Sequence, residues 1–171
     1  MKTLNKIRQK LVSLDDAVAV IREWQKNGQK VVFTNGCFDI LHEGHVTYLA
    51  QSADEGDKLI IGLNTDASVK RQGKGDDRPV NGELSRALIL AALGFVDLIV
   101  LFDDDTPLEL IKALKPDVLV KGADYDPTEL DETSKKYIVG SKEIRANGGS
   151  VKAIALVQGF STTAVLNKIK K

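Results

Sequence analysis

Short apolar runs alternate along this chain with longer segments in which apolar residues recur at every third or fourth position. The runs occupy positions 31–34, 59–63, 98–102, 118–120 and 151–156. Apolar runs of this length are typical of strands that are buried on both faces of a sheet. We therefore predict five buried strands.

Between these runs the pattern predicts amphipathic helices. Ser13 is a plausible N-cap, and apolar residues follow it at helical spacing up to a stop at Asn27 and Gly28, so positions 1–30 are interpreted as one leading helix. Asn81 is the expected cap of a later helix, and Ser161 of the last one. The further predicted helices cover 43–56, 65–69, 81–94, 107–114, 141–146 and 161–171.

Strands that alternate with helices predict a parallel sheet covered on both faces, with right-handed crossovers. We expect an α/β fold with a doubly wound, five-stranded parallel sheet, Rossmann-like in architecture. The 171 residues suffice for one well-buried domain and are too few for two ordinary ones. The expected organisation is a single domain, in which the leading helix at 1–30 precedes the main unit at 31–171.

Composition narrows the classes of partner. Twenty-four basic residues balance twenty-four acidic ones, so no overall field favours a nucleic acid or an anionic membrane. No apolar run approaches the length of a membrane span, and the first residues are charged and amphipathic, which predicts a cytoplasmic protein. The single cysteine, Cys37, excludes an internal disulfide and fits a reducing compartment. It is more plausibly a turn residue than a nucleophile.

The most informative motif is His42-Glu43-Gly44-His45, which follows the first predicted strand and a turn at 34–41. Gly36 lets the main chain approach a ligand closely, and a helix beginning near Glu43 offers unpaired N–H groups to an anion. Imidazoles three positions apart lie on one face of that first turn. A zinc pair is disfavoured because few further ligands exist. The remaining alternative is a helix start at which the two histidines are incidental. Of these interpretations we favour a phosphate site.

Other polar motifs also follow predicted strands, at 64–66, 121–124 and 159–163. In doubly wound sheets the carboxyl ends of the strands meet at one ligand crevice, so we expect these motifs to converge there. The segments 72–79, which includes Lys74, and 126–137 are predicted to be irregular. Each is interpreted as a lid over the crevice or as a simple connector.

The turn at 36–39, the two histidines and Ser161-Thr162-Thr163 together resemble the nucleotidylyltransferase superfamily with the HxGH motif. The motifs at 64–71, 78–81, 119–122, 140–143 and 147–149 further resemble the adenylyltransferases that make ADP-heptose from D-glycero-β-D-manno-heptose 1-phosphate. The match runs from about Val31 to the C-terminus and corresponds to the C-terminal half of a two-domain kinase–transferase. The segment 126–137 is longer than is usual in that family.

The resemblance implies in-line attack by a sugar phosphate on the α-phosphorus of ATP, with Mg²⁺ carried by ATP and no metal site of the protein's own. A phosphate ester is largely anionic at neutral pH, so no general base is needed. His42 and His45 are expected to donate to the phosphates, and Lys70 and Lys121 to add positive charge. Asp39 can orient a histidine or approach the Mg²⁺. The expected nucleotide-binding residues are Asn35, Gly36, Cys37, Phe38, Gly44, Asn64, Asp66, Arg86, Gly122, Asp124, Ser161, Thr162 and Thr163.

For Arg86, a surface salt bridge is an equal alternative to a phosphate contact. A cytidylyltransferase acting on glycerol 3-phosphate or a similar alcohol phosphate is the main alternative function, and a non-catalytic nucleotide-binding module is another. A dinucleotide oxidoreductase is disfavoured, because three glycines within six residues do not follow the first strand. The resemblance also implies a separately encoded heptose 7-phosphate kinase, and apolar residues on the leading helix suit a homo-oligomer.

Overall fold

The computed structural model describes residues 1–73, 75 and 77–169. In this part of the chain six parallel strands form one sheet in the order β1-β4-β3-β2-β5-β6. The strands are β1 (Leu11–Val12), β2 (Val31–Gly36), β3 (Lys58–Asn64), β4 (Leu98–Phe102), β5 (Val118–Gly122) and β6 (Ser150–Ile154). The doubly wound α/β fold with a parallel sheet is confirmed.

Helices connect the strands and cover both faces of the sheet. They are α1 (Lys2–Arg8), α2 (Leu14–Lys26), α3 (Glu43–Ala53), α4 (Asp66–Arg71), α5 (Glu83–Ala91), α6 (Leu108–Leu114), α7 (Ser141–Ala146) and α8 (Thr162–Ile169). None of the described helices is long and apolar enough to cross a bilayer.

The strand count and the leading helix are corrected by the structure. The sheet has six strands instead of five, because Leu11 and Val12 pair with Ile99 and Val100 of β4. A two-residue strand is too short to show a periodic pattern, so it could not be predicted from the sequence. The first thirty residues accordingly form α1, β1 and α2. Ser13 does cap α2, since its hydroxyl accepts the main-chain N–H of Asp16.

Alternating residues of the central strands supply two separate cores. Phe33 of β2, Ile60 of β3 and Leu119 of β5 point to one face, where Ile21 of α2 and Ile111 of α6 cover them. Val32, Ile61 and Val120 point to the other face, together with Leu49 of α3 and Leu90 of α5. Burial on both faces explains why these strands read as continuous apolar runs.

The order of the strands fixes the position of the ligand crevice. From β2 the chain proceeds outward through β3 and β4, and it then returns to the other side of β2 to form β5 and β6. The direction of winding therefore changes between β2 and β5, and ligands of such sheets bind beyond the carboxyl ends of the strands at this point.

Candidate active site

A cleft of about 340 Å³ lies beyond the carboxyl ends of β2 and β5. Three of the four motifs predicted to converge contribute to its walls: the turn from the end of β2 to the start of α3, the end of β5 and the start of α8. The motif at 64–66 does not line this cleft. The predicted site residues that line it are Asn35, Gly36, Cys37, Phe38, His42, Gly44, His45, Lys121, Gly122, Asp124, Ser161 and Thr162. The structure thus brings together twelve residues that the sequence assigned to one site.

The two histidines stand at the N-terminus of α3. Nδ1 of His42 accepts the main-chain N–H of His45 at 3.3 Å, so His42 is the N-cap of the helix. A neutral imidazole that accepts at Nδ1 carries its proton on Nε2. Within the described part of the chain this buried Nε2 has no hydrogen-bond partner, and neither has Nδ1 of His45. A ligand oxygen would satisfy the Nε2–H donor of His42.

Both imidazoles are neutral at pH 7. Burial lowers the pKa of His42 below 6.5. Burial lowers the pKa of His45 to about 4; the neighbouring His42 adds to this effect, and the main chain of Ile40 opposes it. The rings are stacked, with centroids 3.7 Å apart, a geometry that two charged imidazolium groups would not favour. The pair therefore carries no fixed charge, and the Nε2–H of His42 is available as a hydrogen-bond donor.

Lys121 supplies positive charge at the boundary between the two halves of the sheet. It lies near the end of β5, and its Nζ donates to Oδ1 of Asn35 on β2 at 2.8 Å. The same Nζ lies 5.4 Å from the centroid of the Tyr125 ring. These contacts hold the ammonium group across the switch point, where it faces the cleft.

The turn between β2 and α3 has a closely packed glycine at each end and one unusual main-chain conformation. A Cβ on Gly36 would lie 2.9 Å from the Phe38 ring, and a Cβ on Gly44 would lie 3.0 Å from Cβ of Phe160 and 3.2 Å from the His42 ring. Phe38 itself has φ of +43°, in the left-handed region that non-glycine residues rarely adopt. Its ring packs edge-on against His45, with centroids 5.3 Å apart. This packing holds the turn in place beneath the histidines.

A second cleft of about 310 Å³ adjoins the first one. Both clefts share Asn35, Gly36, Cys37, Lys121 and Tyr125, so Lys121 lies where they meet. Asn64, Gln72, Asp105 and Thr106 line the second cleft alone, which gives it hydrogen-bonding walls. Two ligands placed in the two clefts would meet beside Lys121.

The comparisons with known proteins identify the family. A model of the cytidylyltransferase-like family matches residues 33–168, which include both histidines and the start of α8. This chain belongs to the cytidylyltransferase-like family.

Individual relatives match most of this chain. The chain is 52% identical over 160 residues to the bifunctional protein HldE of Azorhizobium caulinodans, and 54% identical over 162 residues to that of Campylobacter fetus subsp. fetus. These matches cover 94% and 95% of this chain and 32% of each relative. The chain therefore spans about a third of the length of the curated relatives that it matches.

Solved structures show the same fold. A lipopolysaccharide core biosynthesis protein from Thermoplasma volcanium superimposes with a TM-score of 0.57 at 30% identity, over 76% of this chain and 98% of that one. A pantoate-beta-alanine ligase from Francisella tularensis, crystallised with beta-gamma ATP and beta-alanine, gives a TM-score of 0.57 at 12% identity, over 94% of this chain and 76% of that one. The second likeness concerns the fold alone.

Within this cytidylyltransferase-like domain, five predicted site residues lie outside the main cleft. Asn64 lines the second cleft, and its buried side chain donates to Oγ of Ser68. Lys70 of α4, Asp66 of α4 and Thr163 of α8 line neither cleft. Lys70 and Thr163 are exposed, which does not support a ligand contact for either.

Arg86 is the fifth of these residues, and neither of its predicted roles fits its surroundings. Its side chain is fully buried beneath the cleft, so the ion pair that it forms with Asp66 is not the surface salt bridge that was expected. The guanidinium donates to the carbonyls of Asn81, Cys37 and Asn64 at 2.6–2.9 Å and to Oδ1 of Asp66 at 2.8 Å. These bonds occupy four of its five N–H donors and tie the ends of β2 and β3 to the segment before α5.

Sequence reasoning missed the pairing of Asp39 with Arg78. Oδ2 of Asp39 accepts from Nε of Arg78, and both residues line the main cleft. Asn81, which was expected to cap α5, instead donates its main-chain N–H and its side-chain amide to Asp39. The cap position of α5 is Gly82. The proximity of Arg78 to the turn after β2 arises from tertiary folding, and no local pattern signals it.

Tyr48 and Tyr125 line the cleft as well, although neither was predicted to do so. The hydroxyl of Tyr48 donates to the carbonyl of Val120 at 3.2 Å and lies 2.7 Å from Oγ1 of Thr34, so it joins α3 to β2 and β5. Position 48 follows the histidine motif by one helical turn, a spacing that could have drawn attention to it.

The two predicted lid segments differ in their relation to the clefts. The segment 72–79 contributes Gln72 and Arg78 to the clefts, whereas residues 126–137 line neither cleft. Lys74 lies outside the described residues.

Proposed function

We propose that this chain transfers the adenylyl group of ATP to D-glycero-β-D-manno-heptose 1-phosphate, giving ADP-heptose and pyrophosphate. The observation that carries the proposal is the placement of the neutral histidine pair, Lys121 and the start of α8 around one cleft, at the switch point of the sheet. Identity of about half over nearly the whole chain to proteins described as bifunctional HldE supports the choice of substrate.

The chemistry requires alignment of anionic groups more than proton transfer. An oxygen of the acceptor phosphate attacks the α-phosphorus of ATP as the bond to the bridging α–β oxygen breaks, and pyrophosphate leaves in line. The acceptor phosphate is already largely anionic at neutral pH, so its oxygen attacks without a general base. What the protein contributes is positioning, and positive charge for the oxygens of the transferring group.

Each group of the main cleft has a defined part in this scheme. His42 donates from Nε2, and His45 from a ring N–H, to oxygens of the α- and β-phosphates. Lys121 lies where the two clefts meet, so it contacts both the acceptor phosphate and the α-phosphate. Ser161 and Thr162 offer hydroxyl and main-chain N–H groups of the start of α8 to the β- and γ-phosphates.

The nucleotide occupies the main cleft, and the sugar phosphate occupies the second one. Mg²⁺ arrives with the triphosphate and neutralises part of its charge when bound. The hydrogen-bonding walls around Asn64, Gln72 and Thr106 suit a polyhydroxylated acceptor.

We further propose that the chain acts in the cytoplasm as a single domain, with residues 1–30 packed against the transferase unit at 31–171. It depends on a heptose 7-phosphate kinase for its supply of substrate, and a homo-oligomer forms through exposed apolar residues of its first thirty positions. Leu4 of α1 and Leu14 of α2 are exposed apolar side chains of that kind.

A cytidylyltransferase acting on glycerol 3-phosphate is the second candidate, because the matching family is described as cytidylyltransferase-like. A non-catalytic nucleotide-binding module is the third. All three share the fold and the histidine motif, so they differ in product formation alone.

Release of pyrophosphate distinguishes these candidates. The assay pairs ATP, CTP, GTP or UTP with heptose 1-phosphates, hexose 1-phosphates and glycerol 3-phosphate, in the presence of Mg²⁺. We expect the fastest release with ATP and the heptose 1-phosphate, and loss of that rate in Lys121→Met. The matched control is Lys142→Met, because Lys142 pairs with Glu132 on the surface, away from both clefts. No release with any pair would leave a nucleotide-binding module.

A further inference from the structure

Positive charge in the main cleft comes from fewer side chains than the sequence suggested. Lys70 is exposed outside both clefts, Arg86 is buried beneath them, and the histidines are neutral. Among the described residues that line either cleft, the basic side chains that carry a charge at neutral pH are Lys121 and Arg78. A triphosphate and a sugar phosphate must meet there, so one ammonium group alone would leave most of their charge unpaired.

The buried carboxylate of Asp39 anchors Arg78 beside the histidines. The carboxylate of Asp39 is fully buried and accepts from Nε of Arg78. Its other oxygen accepts the main-chain N–H groups of Val80 at 2.8 Å and Asn81 at 2.9 Å. The Asn81 amide also donates to the carbonyl of Asp39 at 2.7 Å. The end of the irregular segment 72–79 and the two residues after it are thereby fixed to the turn after β2.

The Asp39 carboxylate keeps its charge at all ordinary pH values. Burial alone would raise the pKa of Asp39, but the N–H groups of Asn81 and Val80 and the Arg78 guanidinium outweigh that effect and hold the pKa below 3.8. Asp39 therefore stays ionised. Its oxygens are occupied by this segment, so it acts on Arg78, in place of the contact with a histidine or with Mg²⁺ that the sequence suggested.

The anchor leaves part of the guanidinium available. Arginine carries five N–H donors, and the bond to Asp39 uses the one on Nε. Within residues 1–73, 75 and 77–169 the Nη groups of Arg78 have no hydrogen-bond partner, although the side chain is only 10% exposed. Two Nη groups on a fixed guanidinium match the spacing of two phosphate oxygens.

We propose that Arg78 binds substrate phosphate through its Nη groups and that Asp39 is the positioning residue that aims it. The inference rests on the proposed function only in so far as the cleft accepts a polyphosphate. It makes Arg78 the second cation of the cleft and thereby supplies the charge that Lys70 and Arg86 do not provide there.

The test uses inorganic tripolyphosphate as the probe, because it has neither base nor ribose and does not depend on the identity of the acceptor. Its dissociation constant is measured by calorimetry for the full chain and for Arg78→Met, Arg78→Lys and Asp39→Asn. Loss of a charge-assisted contact predicts binding that is about 10- to 100-fold weaker in Arg78→Met, with partial recovery in Arg78→Lys. Asp39→Asn should fall between wild type and Arg78→Met.

Arg71→Met is the matched control, since Arg71 forms exposed ion pairs with Asp103 and Asp105 and lines neither cleft. Its affinity for tripolyphosphate should equal that of the wild type. Thermal unfolding of every variant separates binding from folding. Affinity within twofold of wild type in Arg78→Met and Arg78→Lys, or no binding of tripolyphosphate by the wild type, would overturn the proposal. Arg78-dependent binding without ADP-heptose formation would uphold it and refute the proposed substrate.

Discussion

Replacing Arg86 with methionine should destabilise the fold strongly, although the residue lies on an amphipathic surface helix. Arg86 is 1% exposed, and its guanidinium forms four hydrogen bonds, three of them to main-chain carbonyls from separate segments. Methionine fills part of the volume and leaves these carbonyls without donors. Asp66 is 38% exposed and can be rehydrated, so it adds little to the cost.

Removal of one partner from a buried charged network costs about 3–5 kcal/mol, and three unsatisfied carbonyls at about 1 kcal/mol or more each give a similar figure. We therefore expect Arg86→Met to lower the free energy of unfolding by about 3–5 kcal/mol. Urea denaturation followed by circular dichroism measures this change through the midpoint and the slope.

Arg71→Met is again the matched control. Arg71 is 44% exposed, and its partners Asp103 and Asp105 are 63% and 78% exposed, so its loss should cost only about 0–1 kcal/mol. A loss below 1 kcal/mol in Arg86→Met as well would refute the interpretation of Arg86 as the tie between the ends of β2 and β3.

Three further changes test the histidine helix. His45→Ala should lower kcat by a factor that corresponds to about 2.7–4 kcal/mol, with a smaller effect on the dissociation constant of ATP; unchanged turnover with a lower melting temperature would show a purely structural residue. The His45 pKa is about 4 in the folded chain and 6.5 in a model peptide, so the unfolded state binds the proton more tightly. The free energy of unfolding should thus be constant above pH 6.5 and decrease by at most about 3 kcal/mol as the pH falls toward 4. In urea titrations His45→Gln should not show this decrease. Tyr48→Phe removes the hydroxyl between Thr34 and the Val120 carbonyl, which should cost about 1–2 kcal/mol of stability in the same assay; an unchanged midpoint would contradict that link.

The elements with a strong local pattern were predictable from the sequence. β4 and α7 have the predicted bounds, and α3 begins where the histidine motif suggested. Each central strand is a continuous apolar run because both faces of the sheet are covered. Since parallel strands place their carboxyl ends together, motifs that follow strands had to converge, and twelve of the predicted residues share one cleft.

The features that could not be predicted from the sequence depend on contacts between distant segments. Arg78 and Asp39 are 39 positions apart, and Arg86 reaches the carbonyl of Cys37 across 49 positions. An arginine at a helical position gives no indication of whether it faces water or a set of buried carbonyls. β1 was missed for a similar reason, since two residues become a strand only by pairing with β4.

A direct competition tests the central claim. ATP and CTP at equal concentration are mixed with heptose 1-phosphate and glycerol 3-phosphate, Mg²⁺ and the protein, and the products are identified by mass spectrometry. The proposed function predicts ADP-heptose as the main product, together with an equal amount of pyrophosphate. CDP-glycerol as the main product, or no nucleotide-linked product at all, would contradict it.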